Sequence, residues 1–403
     1  VEKAITGLHG GTLEKWGRRG SGGKRTGPLP VLWTPIMGLR RHVVQPLVIP
    51  LRHFGGMPIT EAVPDVPNVL NDGGWKMYLI TGGAGFIGSN LAAGLEARGD
   101  SEIVVCDWLE EGDKWRNLSK RELSRIVPPE EIFEFLDSHG GDVTAIFHMG
   151  AISSTTETDM DLILDTNFRL SLELWEWCVQ HEKRFIYASS AATYGDGAQG
   201  FDDDESDAAL AALQPLNPYG WSKHLFDRHV LGPGRDGGTP PQWAGLKFFN
   251  VYGPNEYHKG AMKSVVCQIF PVAKEGKPCR LFKSHHPDYA DGGQLRDFIW
   301  VGDCVDVMLW LLDNHGVNGL FNLGTGKARS FADLAAAVYG TLGRECTIDY
   351  VDTPEEIRDR YQYFTEARME HLREAGYAAP FTALEEGVGR YVREFLDTPD
   401  PFK

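Results

Sequence analysis

Residues 77–99 read "MYLITGGAGFIGSNLAAGLEARG", and the interpretation of the whole chain starts from this stretch. Its apolar beginning predicts a short buried strand, and its second half predicts an amphipathic helix that ends at Gly99. Gly82, Gly85 and Gly88 lie between the two elements at three-residue spacing. Glycines in this arrangement permit a tight turn, a close approach of the backbone to a pyrophosphate, and close packing of helix on strand. The stretch therefore predicts a dinucleotide-binding turn.

Further apolar runs follow, separated by helical patterns. In chain order these runs are "EIVVCD" (102–107), "TAIFHMGA" (144–151), "RFIYASS" (184–190) and "LKFFNVYG" (246–253). The clearest helical patterns cover residues 162–181 and 218–231. Alternation of this kind predicts a parallel sheet with helices on both faces. After Asn250 the alternation loosens, which predicts a smaller lobe and a return of the chain to the sheet near "RDFIWVGD" (296–303).

Residues 1–76 differ from the rest of the chain. They have a positive charge balance, are rich in Gly and Pro, and show no sustained hydrophobic period. Pro and Arg interrupt their most apolar part, so it cannot supply the roughly 20 apolar residues of a membrane span. It also lacks the charge order and cleavage site of a signal peptide. We expect these residues to lie outside the native fold, and we hypothesise that Met77 is the native start.

The composition limits the classes of partner. The formal net charge is −16, whereas nucleic-acid binding rests on a basic surface, so we expect no nucleic-acid partner and no membrane partner. The six cysteines form no Cys-x-x-Cys pair. This argues against zinc sites and redox dithiols, and it favours reduced thiols in a cytoplasmic protein. We expect no metal.

Asp107 ends the second predicted strand, roughly 20 residues after the glycines, which is where an acid receives the ribose hydroxyls of NAD. Taken alone, it favours NAD over NADP. Lys114 follows a few residues later and could instead meet the 2′-phosphate of NADP, although a solvated surface lysine is an equally good interpretation. The sequence leaves this choice open.

Tyr219 and Lys223 are spaced i, i+4 in "YGWSK", in a segment that opens with Pro218 and is predicted to be helical. One helical face would therefore carry both side chains. A nearby ammonium lowers the pKa of a phenol and makes the tyrosinate a usable base. Ser190, at the end of a predicted strand, could hydrogen-bond the same substrate hydroxyl. These residues are the catalytic candidates that the spacing itself provides.

Taken together, these motifs resemble those of the extended short-chain dehydrogenase/reductases, and more closely the branch that epimerises an ADP-heptose. The matching segments are "TGGAGFIGSN" (81–90), "IFHMGAISSTTE" (146–157), "YASSAATYG" (187–195), "NPYGWSK" (217–223), "FFNVYGPNEYHKGAMKS" (248–264), "RDFIWVGD" (296–303), "FNLGTG" (321–326) and "RYQYFT" (360–365). The resemblance covers residues 77–396 or so and leaves residues 1–76 unmatched.

The resemblance implies an α/β fold with a Rossmann-type doubly wound parallel sheet and a smaller mixed C-terminal substrate-binding lobe. The dinucleotide-binding domain would span residues 77–251 and be rejoined by about 296–330. The lobe would comprise residues 252–295 and 331–403.

The resemblance also implies an isomerase acting on an ADP-heptose for lipopolysaccharide-core heptose supply. Bound NADP, with NAD as the alternative, would oxidise C6″ to a ketone and return the hydride to the other face. Each face needs its own proton carrier, so Lys259 would act opposite Tyr219. The alternative for Lys259 is an ion pair with the substrate pyrophosphate. A homo-oligomer is expected from the family.

The remaining site residues are carried over from the resemblance. The cofactor contacts are Gly82, Gly85, Phe86, Ile87, Gly88, Asp107, Trp108, Lys114, Met149, Gly150, Ala151, Ile152, Ser153, Lys223, Val251 and Lys259. The substrate contacts are Ser190, Asn250, Ala261, Gln268, Phe282, Arg296 and Tyr361. The chain departs from the family pattern where Ala261 replaces a serine, Gln268 a histidine and Trp108 an asparagine, and in a longer loop before Arg296.

Other functions within the same fold remain as alternatives, namely an epimerase or dehydratase acting on another nucleotide sugar. A 4,6-dehydratase would carry an Asp–Glu pair directly after the strand-end Ser, where this chain has Ala191 and Ala192. A 4-epimerase would share Ser190, Tyr219 and Lys223 but would not need Lys259. A non-catalytic dinucleotide sensor would usually lack the Tyr/Lys pair.

Overall fold

The computed structural model describes residues 76–99, 101–232, 237–358 and 361–403. All of them belong to one compact unit, Val69–Lys403. The predicted extension, apart from Lys76, lies outside the described residues, and so the prediction about it is not addressed by the structure.

The strands follow one another in an order that fixes the sheet. They are β1 (Lys76–Thr81), β2 (Ser101–Cys106), β3 (Arg125–Val127), β4 (Val143–His148), β5 (Arg184–Ser190), β6 (Trp243–Phe248), β7 (Asn250–Tyr252), β8 (Cys279–Phe282), β9 (Leu295–Trp300), β10 (Gly319–Leu323), β11 (Ala328–Ser330) and β12 (Ile348–Val351). The central sheet has the order β10-β6-β5-β4-β1-β2-β3, and all its pairings are parallel.

The helices alternate with these strands. They are α1 (Phe86–Arg98), α2 (Ile132–His139), α3 (Met160–Leu164), α4 (Leu170–Gln180), α5 (Asp207–Ala212), α6 (Pro218–Leu231), α7 (Val265–Lys274), α8 (Val301–Asp313), α9 (Phe331–Thr341), α10 (Glu355–Arg358), α11 (Glu370–Glu374) and α12 (Leu384–Tyr391). Short 3-10 helices include Lys114–Leu118 and Tyr257–Met262, and π-helical turns occupy Asp165–Arg169 and Val392–Leu396.

Two apolar layers cover the two faces of the central sheet. Helices α1 and α8 pack on one face with the side chains of Tyr78 and Ile80. Helices α2, α4 and α6 pack on the other face with those of Met77 and Leu79. Alternate residues of β1 thus enter opposite layers, as a strand of period two requires. The predicted Rossmann-type doubly wound fold is confirmed.

The smaller lobe contains the mixed structure that the sequence predicts. A three-stranded sheet has the order β11-β9-β7, with β11 antiparallel to β9, and a two-stranded sheet pairs β12 with β8. Helices α7, α9 and α12 enclose a separate apolar core with these strands.

Three details of the sequence prediction are wrong. The run 246–253 is not one strand, because the chain breaks at Phe249 and passes from the central sheet into the small one. Residues 296–303 do not return to the central sheet; β9 joins the small sheet, and β10 is the strand that returns. Helix α1 is not amphipathic, because the sheet and α8 bury it on most sides. Its predicted end at Gly99, which has φ 75°, agrees with the structure.

Candidate active site

The candidate site lies where the strand order reverses, between β1 and β4. In doubly wound sheets ligands bind in the crevice outside the carboxyl ends of the strands at this point. A cavity of about 1570 Å³ opens there. It is large enough for a dinucleotide together with a second ligand, since single ligand pockets usually measure roughly 300–1,000 Å³.

The glycine turn leaves room for a phosphate. Gly82 has φ 63°, and a Cβ atom at this residue would lie 2.5 Å from the Cα of Gly150. A Cβ at Gly88 would lie 2.3 Å from the carbonyl oxygen of Gly82. Gly85 precedes α1 without a side-chain cap, so the first backbone amides of this 13-residue helix face the cavity as anion donors.

Asp107 and Lys114 form a pair that lines the cavity beside the glycine turn. The Asp107 carboxylate accepts hydrogen bonds from the Ala84 amide at 2.9 Å and from the Lys114 ammonium at 3.0 Å. The same ammonium donates to the Trp108 carbonyl at 2.7 Å and lies 3.6 Å from the Glu110 carboxylate. Burial raises the pKa of Asp107, and Lys114 opposes that shift. Asp107 therefore ties the glycine turn to the lysine that could meet a 2′-phosphate.

The segment after β4 forms another wall of the cavity. Its predicted residues Met149, Gly150, Ala151, Ile152 and Ser153 all line the cavity, as do Phe86, Ile87 and Val251. The residue that holds this segment was not predicted. Asn167 accepts from the Ile152 amide at 2.8 Å and donates to the Ile152 carbonyl and to the Ser222 hydroxyl, each at 3.0 Å.

A π-helical turn places Asn167 in this position. The turn, Asp165–Arg169, interrupts the predicted helix of residues 162–181, and such turns are often found at functional sites. Asn167 is fully buried, and Ser222, one of its partners, also donates to the Tyr219 carbonyl at 2.8 Å. One buried amide therefore connects the cofactor wall to the catalytic helix. No local sequence signal predicts such a turn.

Tyr219, Lys223 and Ser190 come together as predicted. Asn217 caps α6 by accepting from the Gly220 amide at 2.8 Å, and α6 carries Tyr219 and Lys223 one turn apart. The Ser190 hydroxyl hydrogen-bonds the Tyr219 phenol. Burial raises the pKa of Tyr219, whereas that hydrogen bond lowers it. Burial lowers the pKa of Lys223 to about 8, with Asp227 acting in the opposite direction.

A buried ion pair lies one turn beyond Lys223 and was not predicted. The Asp227 carboxylate accepts from the Lys247 ammonium and the Tyr187 and Ser189 hydroxyls at 2.7–3.0 Å. Lys247 and Asp227 are almost entirely buried. The pair fastens α6 to β5 and β6, so the catalytic helix is fixed to the strand that ends in Ser190.

Lys259 lies on the 3-10 helix after β7 and lines the same cavity from a different element. Its ammonium lies 5.6 Å from the centre of the Phe86 ring. Burial lowers the pKa of Lys259, and the carboxylate of Glu256 opposes that shift. Glu256 is itself buried and accepts from the hydroxyls of Ser264 at 2.6 Å and Tyr391 at 3.0 Å.

Arg296 is a buried cation on β9, in the three-stranded sheet. Its guanidinium donates to the carbonyls of Leu295 and Gln362 and lies 5.4 Å from the Tyr361 ring and 5.6 Å from the Phe331 ring. Burial lowers its pKa. Within the described residues no carboxylate comes within ion-pair distance of this guanidinium, which suits it to an anionic ligand. Asn250 and Tyr361 also line the cavity.

Three predicted substrate residues do not line the cavity in this structure, and their assignment stays a prediction. Ala261 and Gln268 are exposed, and the Gln268 amide donates to the carbonyls of Ala261 and Lys263 on its own segment. Phe282 packs edge-on against the Tyr361 ring at 6.1 Å.

Two negative findings concern the described part of the chain. No group of three or more His, Cys, Asp or Glu side chains there is arranged to hold a metal ion. None of the helices there is long and apolar enough to cross a membrane.

Comparison with known proteins gives consistent similarities. Residues 78–324 match the NAD dependent epimerase/dehydratase family. An ADP-L-glycero-D-manno-heptose-6-epimerase from Nitratidesulfovibrio vulgaris (strain DP4) is 53% identical over 81% of this chain and 100% of its own. An ADP-L-glycero-D-manno-heptose-6-epimerase from Fusobacterium nucleatum is 44% identical with the same coverage of both chains.

Solved structures show the same similarity. ADP-L-glycero-D-manno-heptose-6-epimerase from Helicobacter pylori superposes with a TM-score of 0.65 at 28% identity, over 79% of this chain and 96% of the other. UDP-glucose 4-epimerase from Thermus thermophilus, solved in complex with NAD, gives a TM-score of 0.61 at 25% identity, over 78% and 96% of the two chains.

Proposed function

Because the chain belongs to the NAD dependent epimerase/dehydratase family, we propose that it is an isomerase that converts ADP-D-glycero-β-D-manno-heptose to ADP-L-glycero-β-D-manno-heptose. Relatives that align with four fifths of the chain are named for this activity. The observation that carries the proposal is that two proton carriers, Tyr219 and Lys259, line one cavity from different elements. The product would supply heptose for a lipopolysaccharide core.

Inverting C6″ requires that a hydride leaves the carbon and a proton leaves its hydroxyl, which gives a ketone, and that the hydride then returns to the opposite face of the carbon while the oxygen regains a proton. A bound nicotinamide dinucleotide supplies reversible hydride transfer, and the glycine turn, the open end of α1 and the Asp107–Lys114 pair fit such a group. A side chain fixed to one element reaches only one face of a planar ketone. Two proton carriers on separate elements therefore suit an epimerase that uses a different proton carrier in each half of its reaction.

We assign Tyr219 to one face. In this role its phenolate takes the proton of the C6″ hydroxyl, while Ser190 hydrogen-bonds the same oxygen. Burial raises the pKa of Tyr219, and in this role a positive charge on Lys223, one turn along α6 on the same helical face, would counteract that shift. A positioned general acid or base usually contributes about 10²–10⁴ in rate.

We assign Lys259 to the opposite face. The pKa of a lysine in water is too high for it to act as a base near neutral pH. Burial lowers this pKa because it disfavours the charged form. The lowered pKa of Lys259 supports this role. The carboxylate of Glu256 opposes that shift and favours the protonated amine.

Arg296 and Tyr361 are proposed to hold the substrate while its heptose turns over. The buried guanidinium donates to carbonyls, and no carboxylate among the described residues neutralises its positive charge. It can therefore pair with a pyrophosphate, which it can bind through two parallel hydrogen bonds. An anchor at the pyrophosphate leaves the sugar free to present either face of C6″ to the cofactor. Asn250, at the start of β7, would contact the sugar.

The end of β5 argues against dehydration. Ala191 and Ala192 follow Ser190 and line the cavity with methyl groups. Elimination of water needs an acid and a base at the neighbouring carbons, and a methyl group can carry no proton. A 4-epimerase would make no use of a lysine where Lys259 lies.

For the dinucleotide we propose NADP, with Lys114 meeting the 2′-phosphate. NAD is the alternative, and one observation favours it: the carboxylates of Asp107 and Glu110 already lie 3.0 Å and 3.6 Å from this ammonium. Titration of cofactor-free protein with both nucleotides decides between them. If NADP is the cofactor, it binds more tightly than NAD and Lys114→Met removes that preference. Tighter binding of NAD by the unaltered protein would overturn the choice.

The function is tested by incubating the holoenzyme with each C6″ epimer of the ADP-heptose separately and resolving the products. Both reactions should reach the same mixture with no net cofactor reduction. A product that has lost water would indicate a dehydratase, and inertness towards both epimers would refute the proposal.

Lys259→Met tests the second proton carrier, with the exposed Lys274→Met as control. The methionine keeps most of the stem and removes the proton and the charge. Epimerisation should nearly vanish in the first variant and persist in the second. A higher KM with unchanged kcat would make Lys259 a pyrophosphate anchor instead.

A further inference from the structure

Residues 400–403, here called the 400–403 strap, lie against the segment that carries Lys259. Phe402 is 5% exposed, and its ring meets that of Tyr257 edge-on with centroids 5.1 Å apart. The Tyr257 hydroxyl donates to the Pro401 carbonyl at 2.8 Å. The Lys403 amide donates to the Asn255 side chain at 2.9 Å. The strap thus covers residues 253–259, here called the Lys259 loop, from the outside.

The other side of the strap contacts the cofactor-binding domain. The Arg116 guanidinium lies 4.2 Å from the centre of the Phe402 ring. The Lys120 ammonium donates to the Phe402 carbonyl at 2.5 Å and pairs with Asp400 at 3.0 Å. Arg116 belongs to the 3-10 helix Lys114–Leu118, which begins with the lysine at the cofactor site. Phe402 therefore lies between the Lys259 loop and an element of the dinucleotide site.

Beneath the strap, the same two elements meet through polar contacts. The Asn117 amide donates to the Ala84 carbonyl of the glycine turn at 2.8 Å and lies 3.2 Å from the ring nitrogen of His258. Asn255 is buried, has a left-handed φ of 72°, and donates to the Ser89 hydroxyl of α1 at 3.0 Å. This conformation is costly for a residue other than glycine and persists only when the surroundings enforce it. The strap supplies part of that enforcement, because Lys403 binds the Asn255 side chain.

We propose that the 400–403 strap, chiefly through Phe402, is a positioning element that holds Lys259 at the correct distance from the cofactor face. The inference rests on the proposed function, because it takes Lys259 as the second proton carrier. Gly260, with φ 55°, follows Lys259 directly and has no atom near its Cβ direction. The loop is restrained at two places: Glu256 accepts hydrogen bonds from Ser264 and Tyr391, and the strap contacts Asn255 and Tyr257.

The test compares Phe402→Ala with a matched control, Phe381→Ala. Phe381 is also packed between an arginine and a tyrosine, with Arg373 at 4.7 Å and Tyr377 at 5.7 Å. It lies outside the cavity and makes none of the contacts of the Lys259 loop described above. Misplacing a catalytic group by about 1 Å can cost on the order of 10²-fold. Phe402→Ala should lower the kcat of epimerisation by roughly 10–10²-fold with cofactor content unchanged, and Phe381→Ala should leave kcat near normal.

A double variant separates positioning from general damage. In a Lys259→Met background, Phe402→Ala should cause no further loss of the residual Tyr219-dependent activity towards an aldehyde analogue of the C6″ ketone. If Phe402 has a purely structural role, its replacement should lower this residual activity further, and that result would overturn the proposal. Phe402→Leu should recover part of the kcat, because it restores apolar packing between the two elements.

The outcomes distinguish the two proposals. If Lys259→Met is inactive and Phe402→Ala epimerises normally, the strap inference fails and the proposed function stands. If Lys259→Met epimerises normally, the strap inference and the assignment of Lys259 as second proton carrier both fail, while the proposed epimerase function stands. Should Phe402→Ala not fold, Tyr257→Phe serves instead, because it keeps the ring and removes only the hydrogen bond to Pro401. A lowered kcat with unchanged KM would then support the inference, and unchanged kcat would refute it.

Discussion

Tyr219 is the residue on which one half of the proposed chemistry depends. Replacement by Phe keeps the ring in place beside Ser190 and removes only the hydroxyl, so folding and bound cofactor should be retained. We expect kcat to fall by about 10²–10⁴, measured from the rate at which one C6″ epimer is converted to the other. Tyr363→Phe, on the aromatic cluster with His286 and Tyr289, is the control. Near-normal turnover of Tyr219→Phe would remove this residue from the mechanism.

The residues proposed to take part in the chemistry could be predicted from the sequence, whereas the buried residues that position them could not. The spacings of Tyr219 and Lys223 on a helix, and of the three glycines in a turn, are each required by the chemistry proposed for them. The structure brings these residues together at one cavity. Asn167 and Asp227 act through partners far away in the chain, at Ile152 and Lys247. A buried polar side chain has no local pattern that distinguishes it from a solvated one, so these roles required the tertiary structure.

At the level of elements, apolar runs predicted where strands occur but not which sheet they join. β6 and β7 are separated only by Phe249, whose amide donates to the Leu323 carbonyl of β10 at 3.1 Å. The run 246–253 stays apolar across this break because the chain is buried on both sides of it. Sheet membership is decided by long-range pairing, which hydrophobic periodicity does not encode.

The π-helical turn should affect dinucleotide binding as well as the stability of the fold. Asn167→Ala would leave the Ile152 amide and carbonyl without their buried partner, and each unsatisfied group costs about 1–3 kcal/mol. We expect lower thermal stability together with weaker dinucleotide binding, measured by titration of cofactor-free protein.

Asn318→Ala is the control for this prediction. Asn318 also accepts from a backbone amide, that of Trp243 at 2.7 Å, but it lies away from the cavity. The Asn318→Ala variant should be less stable than the unaltered protein but should bind the dinucleotide with the same affinity. Equal loss of affinity in both variants would contradict the assignment of Asn167 to the cofactor wall.

For the molecule as a whole, His148 couples stability to acid pH. It is buried between the Thr81 hydroxyl at 2.7 Å and the Ser171 hydroxyl at 2.8 Å. Burial, with the nearby charge of Lys223, lowers its pKa to about 3. Between its ordinary pKa of about 6.5 and this lower value, the unfolded chain binds a proton that the folded protein does not. Folding stability should therefore fall as the pH drops through this window, by about 2 kcal/mol at pH 5.

The measurement is the free energy of unfolding in denaturant at several pH values, for the protein and for His148→Gln. Other groups titrate in the same range, since burial raises the pKa of the Asp203 carboxyl to about 6, but they are common to both proteins. His148→Gln should have a smaller free energy of unfolding than the unaltered protein at neutral pH. Its free energy of unfolding should also fall less steeply as the pH is lowered. Parallel curves for the two proteins would show that His148 does not contribute to it.

The contact between Phe402 and the Lys259 loop has a consequence for how the protein is made. The glycine turn is translated roughly 300 residues before Phe402, and at about 5–20 residues per second that separation lasts on the order of 15–60 s. The residues that form the contacts of the dinucleotide turn with β4 are all translated before Phe402, so these contacts can form on the ribosome before Phe402 has been added. The nascent chain therefore completes its nucleotide site early and covers the Lys259 loop last. Until that moment the Tyr257 ring is exposed to chaperones and to neighbouring chains.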